Sequence, residues 1–179
     1  MKTKLKTWKR LSTRTLVKNP YLHVEEDRVL LPTGETTKYY ISDRKTKAVS
    51  IIAINANSKI LLQKEYRYPV GKVIYEFPGG RVDKRETFLQ AAKRELREET
   101  GISATEWKKL GQFYASVSHG GVVFSGYIAK GLQQGVSDPD PAEFVEHEWV
   151  SMAKLRQLLK NGTIVGQTTL AMLYLLESH

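Results

Sequence analysis

The sequence predicts an α/β fold preceded by a small antiparallel sheet, and three observations carry that expectation. Short runs rich in Val, Ile, Thr and Tyr, bounded by Asn, Pro and Gly, recur through the first half and again near 112–129 and 144–150. One longer stretch, 87–100, has neither Pro nor Gly and is built largely of Ala, Leu, Glu, Arg and Lys, the composition of a helix. Two further apolar segments, one carrying Leu155, Leu158 and Leu159 and one over 168–177, put helices at the C-terminal end.

Taken in order, Thr13 to Val17, His23 to Leu31 and Thr37 to Ser42 read as strands punctuated by Asn19-Pro20 and by Pro32-Thr33-Gly34-Glu35. Ala48 to Ile54 is a nearly continuous apolar run, and Lys59 to Glu65 follows the turn-like Asn55 to Ser58, so a central hairpin is expected. Pro78-Gly79-Gly80 closes the next strand and lets backbone approach closely, since Gly has no side chain. The helix over 87–100 stops at Gly101, which supplies a left-handed cap, and Leu89, Ala92 and Leu96 give it a core stripe. Gln112 to Ser116 and Val122 to Ala129 read as strands around the loop Val117 to Gly121. The acidic, Pro-stiffened Asp138 to Glu143 is a loop before a strand over Phe144 to Val150. Ser151 caps the first terminal helix, and Asn161-Gly162 ends it. The division expected is 1–45, a basic arm and antiparallel sheet, and 46–179, an α/β domain.

Bulk properties narrow the function classes. With 179 residues, 41% of them hydrophobic and 26% charged, the chain is of ordinary globular type. No run of eighteen apolar residues suits a membrane span, and no signal-like apolar segment opens the sequence. The absence of cysteine excludes disulfides and thiolate metal sites, and a cytoplasmic location is expected. The net charge of +9 is uneven: residues 1–18 hold seven Lys or Arg and no acid, which leaves 21 bases against 19 acids in the rest. The arm either attracts anions or serves as a solubilising terminus; with so neutral a body, nucleic acid is not the expected partner.

The 87–100 helix also carries Glu95, Glu98 and Glu99 at i, i+3 and i+4, away from its core stripe. Clustered carboxylates repel unless a hard divalent cation such as Mg²⁺ or Mn²⁺ gathers them, and Mg²⁺ bridges readily to phosphates. The alternative is a solvated helix balanced by Arg94 and Arg97, with Arg94 and Glu98 as an i,i+4 pair.

The spacing Gly80, Glu86, Arg94-Glu95-Leu96, Glu98-Glu99, Gly101-Ile102 resembles a complete Nudix box, and Glu65 to Gly79 resembles the stretch before the box in ADP-ribose and nucleoside-diphosphate-sugar pyrophosphatases of that family. The resemblance implies the Nudix α/β/α sandwich with a mixed sheet. It further implies hydrolysis of a nucleoside diphosphate derivative, with Glu95, Glu98, Glu99 and the Gly79 carbonyl as metal ligands. Glu86 would support them and Arg94 orient them. Arg67 and Glu76 would hold substrate, and His119 lies where the family contacts the sugar side. Glu143 is the expected base, with Glu146 its rival, and Tyr21 would reach a nucleobase across a homodimer built through the N-terminal sheet. The Pro and acidic loop usual in the ADP-ribose subgroup are missing near Tyr114 to Ser118, so a nucleoside-diphosphate sugar is the first expected substrate and ADP-ribose the second. An RNA 5′-end pyrophosphohydrolase and a non-catalytic nucleotide-binding module are the other classes in view.

Overall fold

The computed structural model describes residues 6–137 and 144–178. The expected acidic loop, with Glu143, lies outside the described residues. The chain divides into two compact units, Met1–Thr46 with Tyr114–Val122, and Lys47–Phe113 with Val123–His179.

The first unit is an antiparallel sheet in the order β1 (Lys9–Lys18), β2 (His23–Leu30), β3 (Thr36–Ser42). Asn19 shapes the first turn, its side-chain oxygen accepting the N–H groups of Tyr21 and Leu22 at 2.9 and 2.8 Å. In the second turn Gly34 adopts φ 94°, which a side chain would strain. β1 starts earlier than expected, at Lys9, and is exposed over its whole length. So little apolar material is buried that ion pairs assume the work of a core. Asp27 accepts from the Thr13 hydroxyl and from Arg44, each at 2.6 Å, and Arg44 also reaches Glu25 at 2.7 Å. Arg14 grips Glu26 with two hydrogen bonds, at 2.9 and 3.0 Å.

The second unit holds two three-stranded sheets. In one, β4 (Lys47–Ala53) runs parallel to β8 (Val123–Gln134), which also borders β7 (Ile102–Tyr114). Ser103 meets Gln133 and Thr105 meets Gly131, so β7 and β8 are antiparallel and this sheet is mixed. In the other, β5 (Ile60–Arg67) lies between β6 (Lys72–Glu76) and β9 (Val145–Val150), antiparallel to both. The helices are α1 (Phe88–Thr100), α2 (Met152–Lys160) and α3 (Gln167–Glu177).

The side chains of β4 and β5 separate onto two faces. Val49, Ile51, Ala53 and Leu61 pack with Ala91, Ala92 and Leu96 of α1. Ile52, Ile60 and Leu62 pack with Leu155 and Leu158 of α2 and with Met172 and Leu173 of α3. The result is the expected α/β/α sandwich, in which strands apolar on both faces are covered on both.

That double burial explains why the expected central hairpin does not form along its length. Asn55 N–H donates to Lys59 O at 3.0 Å and a single bridge joins Ile54 to Ile60, after which β4 leaves for β8 and β5 for β6 and β9. Two other expectations are corrected. β7 begins directly after Gly101, ten residues before the expected Gln112, and its irregular mixture of buried and exposed side chains had hidden it. Leu89 is exposed, and the buried stripe of α1 is Ala91, Ala92, Leu96 and Thr100.

Candidate active site

Two neighbouring backbones position the box residues. α1 starts at a capping box that the sequence signature Thr-x-x-Gln announces: the Thr87 hydroxyl accepts Gln90 N–H at 3.2 Å, and the Gln90 side chain accepts Thr87 N–H at 2.8 Å. It ends at Gly101, φ 72°, whose N–H returns to Arg97 O. Beyond β6 the chain lies along β4, with Ile51 N–H donating to Pro78 O and Val49 N–H to Gly80 O. A Cβ on Gly79 would fall 2.2 Å from Val49 O, and one on Gly80 would fall 2.5 Å from the Glu95 carboxylate. At Gly79 the neighbour is backbone and only glycine fits, whereas a Cβ at Gly80 would displace the Glu95 carboxylate.

Arg94 is the hub of the site. It donates to both oxygens of Glu86 at 2.9 and 3.0 Å, to Glu95 at 2.9 Å, to Glu98 at 3.0 Å and to Arg81 O at 2.9 Å. These hydrogen bonds hold the Glu86 carboxyl below the usual carboxylate range and raise Arg94 above its already high value. Glu99 turns the other way and accepts Gly79 N–H at 3.0 Å. The Arg94–Glu98 pair of the solvated-helix alternative is thus made, with Glu98 37% exposed, while Arg94 and Glu95 are more recessed, at 23% and 13%.

Among the described residues no three acidic or histidine side chains converge on one point, since Arg94 stands between Glu95 and Glu98. The donor set nonetheless fits a hard divalent cation. Three carboxylates share one guanidinium, leaving the cluster net negative, and its donors are all oxygen.

Arg67 and Glu76 are brought together across the β5–β6 ladder, Nε donating to Glu76 at 2.7 Å. Arg67 also holds Glu65 at 2.9 Å, a partner the sequence reading missed although i−2 spacing on a strand puts it on the same face. Glu76 lies three residues before Gly79, no more than about 10 Å along the chain.

Tyr21 and His119 belong to the first unit. Tyr21 is 83% exposed beside the Asn19 turn. The His119 ring stacks on Tyr39, centroids 6.3 Å apart, and the Tyr39 hydroxyl donates to Ser118 O, so the 116–121 loop is tied to β3.

Glu146 is exposed on β9. Its neighbours assign its face: Trp149 pairs with Leu61 on the α1 side, and Val150 with Ile60 on the α2 and α3 side. Alternation then puts Glu146 with Val150, away from α1.

The NUDIX domain family matches residues 44–171, and the nucleoside diphosphate sugar hydrolase N-terminal domain matches residues 8–42. A methanol dehydrogenase activator from Bacillus methanolicus is 33% identical over 93% of this chain and 91% of its own. An ADP-ribose pyrophosphatase from Bacillus subtilis (strain 168) is 31% identical over 86% of this chain and 83% of its own. A crystal structure described as an ADP compounds hydrolase has the same fold, with a TM-score of 0.88 at 22% identity, covering 98% of this chain and 95% of that one.

Proposed function

We propose, because this chain belongs to the NUDIX family of hydrolases, that it splits the pyrophosphate bond of a nucleoside-diphosphate sugar into a nucleoside monophosphate and a sugar phosphate. A pyrophosphatase-type hydrolase agrees with both family matches and with the ADP-ribose pyrophosphatase relative. The observation that carries the reading is the carboxylate cluster of α1, recessed, held by Arg94 and set against the Gly79-Gly80 backbone.

In this reading Glu95, Glu98, Glu99 and the Gly79 carbonyl would hold Mg²⁺, with Mn²⁺ as a substitute. When bound, the cation would offset diphosphate charge and ease deprotonation of an attacking water. The protein's own groups do the rest. Arg94 fixes the directions of Glu95 and Glu98, and Glu86 anchors Arg94 from behind. Arg67 and Glu76 help hold the substrate, Tyr21 is assigned to the nucleobase across a homodimer, and His119 to the sugar side. Glu143 takes the proton as the water oxygen bonds to phosphorus and the bridging P–O bond breaks.

We further assign the N-terminal sheet to a homodimer interface, supported by its exposed β1 edge and by the exposed Leu11, Leu16 and Val17. Among the described residues no helix is long and apolar enough to cross a membrane.

ADP-ribose is the second reading, favoured by the Bacillus subtilis relative. A panel of nucleoside-diphosphate sugars, ADP-ribose, dinucleoside polyphosphates and triphosphorylated RNA at matched Mg²⁺ tests the order. The highest kcat/KM should fall on a nucleoside-diphosphate sugar. A clear preference for ADP-ribose reverses the order, and a preference for RNA overturns the reading.

A further inference from the structure

The flank of α1 that faces the start of β7 touches the carboxylate cluster only through Arg94. A hollow of about 380 Å³ opens there, lined by Gln90, Lys93, Arg94, Arg97, Ala104 and Trp107 and by no acid. Its size is that of a small-ligand pocket. Lys93 and Arg97 are exposed, four residues apart on one helix, and neither is ion-paired among the described residues. Like charges at that spacing destabilise a helix, a cost that an anion seated between them reverses. The helix dipole favours a cation in the last turn and so accounts for Arg97, but Lys93 lies a full turn earlier.

The other wall is aromatic and fixed. The Trp107 indole N–H donates to Ala104 O at 3.0 Å, and the ring meets Tyr127 edge-on at 6.3 Å. Arg94 has its donors committed to Glu86, Glu95, Glu98 and Arg81. Gln90 uses its side-chain oxygen in the capping box, which leaves its amide nitrogen as a donor for the hollow. A larger hollow on the N-terminal sheet, lined by Arg14, Arg28 and Lys38, differs in carrying its own counter-ion, for Glu26 pairs with both Arg14 and Lys38.

We propose that the α1–β7 hollow is a nucleoside monophosphate site, with the phosphate between Lys93 and Arg97 and the base against Trp107. Cations at one end and an aromatic surface at the other match the two halves of such a ligand. The inference rests on these side chains and stands apart from the proposed hydrolysis.

The test is titration of the full chain with AMP in metal-free buffer containing EDTA, read by tryptophan fluorescence. AMP should quench saturably, and inorganic phosphate should displace it. Trp107→Phe should abolish the signal, Lys93→Gln with Arg97→Gln should weaken binding by about tenfold or more, and Glu98→Gln should leave it unchanged. Equal affinity in the Lys93→Gln, Arg97→Gln protein, quenching that survives in Trp107→Phe, or phosphate that fails to compete overturns the proposal. Lys93 and Arg97 are exposed, so their double variant should keep the wild-type circular dichroism and melting temperature and remain decisive if Trp107→Phe folds poorly.

Discussion

Arg94 makes five hydrogen bonds from one side chain, and no other residue of the set could replace that geometry. Arg94→Met should therefore lower stability by roughly 1–3 kcal/mol, the cost of stranding polar groups that have lost their partners, and should abolish turnover as Glu95 and Glu98 lose their common anchor. Thermal melting and a kinetic assay check both halves. Arg94→Met with unchanged activity would make the guanidinium a surface ornament. The proton acceptor is decided at the same scale. Glu143→Gln should depress kcat far more than it raises KM, while Glu146→Gln should stay near wild type because β9 turns that side chain away from α1. At this scale the sequence was informative wherever a residue type recurs at a helical interval. Glu95, Glu98 and Glu99 start from neighbouring positions, and Arg94 lies within reach of Glu98, because i, i+3 and i+4 residues adjoin on an α-helix. The alliance of Glu65 with Arg67, and the orientation of Glu99 toward Gly79, depend on tertiary neighbours that spacing does not encode.

At the scale of elements, the first unit relies on buried charge in place of an apolar core. The Arg14 bonds hold Glu26 below its ordinary value; for Asp27, burial pushes upward, but the Thr13 hydroxyl and Arg44 outweigh it and the net shift is also downward. A lowered folded-state pKa contributes stability above the unfolded value and loses it as pH falls through the folded value. The sheet should thus keep full stability above about pH 5 and lose it progressively below pH 4. Amide exchange of β1 to β3 measured against pH reads this directly, and Asp27→Asn should flatten the curve. A sheet equally protected at pH 3 and pH 6 would deny the network its role. The backbone passage beside α1 gives a second prediction: Gly79→Ala should lower both stability and activity, because its Cβ would overlap Val49 O. Elements with strong local signals, α1 with its helix-forming composition and its stop at Gly101 above all, were legible in advance. β7 was not, because the buried Ile102 and Leu110 stand far apart among exposed and partly buried residues, and no sustained apolar alternation marks the stretch. The false hairpin has the same origin, since a tight turn announces adjacency at one point and says nothing of where two strands go afterwards.

For the whole molecule, two proposals follow from how the parts are exposed and what they carry. An N-terminal sheet with its first strand exposed throughout is a poor terminus for a monomer. Light scattering at micromolar concentration should give about twice the 20.4 kDa chain mass; a mass near the single chain would exclude the dimer. The fold class was readable from the alternation of strand and helix signals, whereas the partition of the strands into two sheets was not, because it is set by which faces need cover rather than by order along the chain. Above all, the α1 carboxylates are proposed to make a working metal site for pyrophosphate hydrolysis. The most direct measurement compares wild type with Glu99→Gln on a nucleoside-diphosphate sugar, with Mg²⁺ and with EDTA, by chromatography of the products. Gln forms helix nearly as well as Glu, so the variant should fold. Wild type with Mg²⁺ should release nucleoside monophosphate and sugar phosphate in equal amounts, EDTA should stop it, and Glu99→Gln should be slower by about 10²-fold or more. Equal product from both proteins, or turnover indifferent to EDTA, would contradict the account.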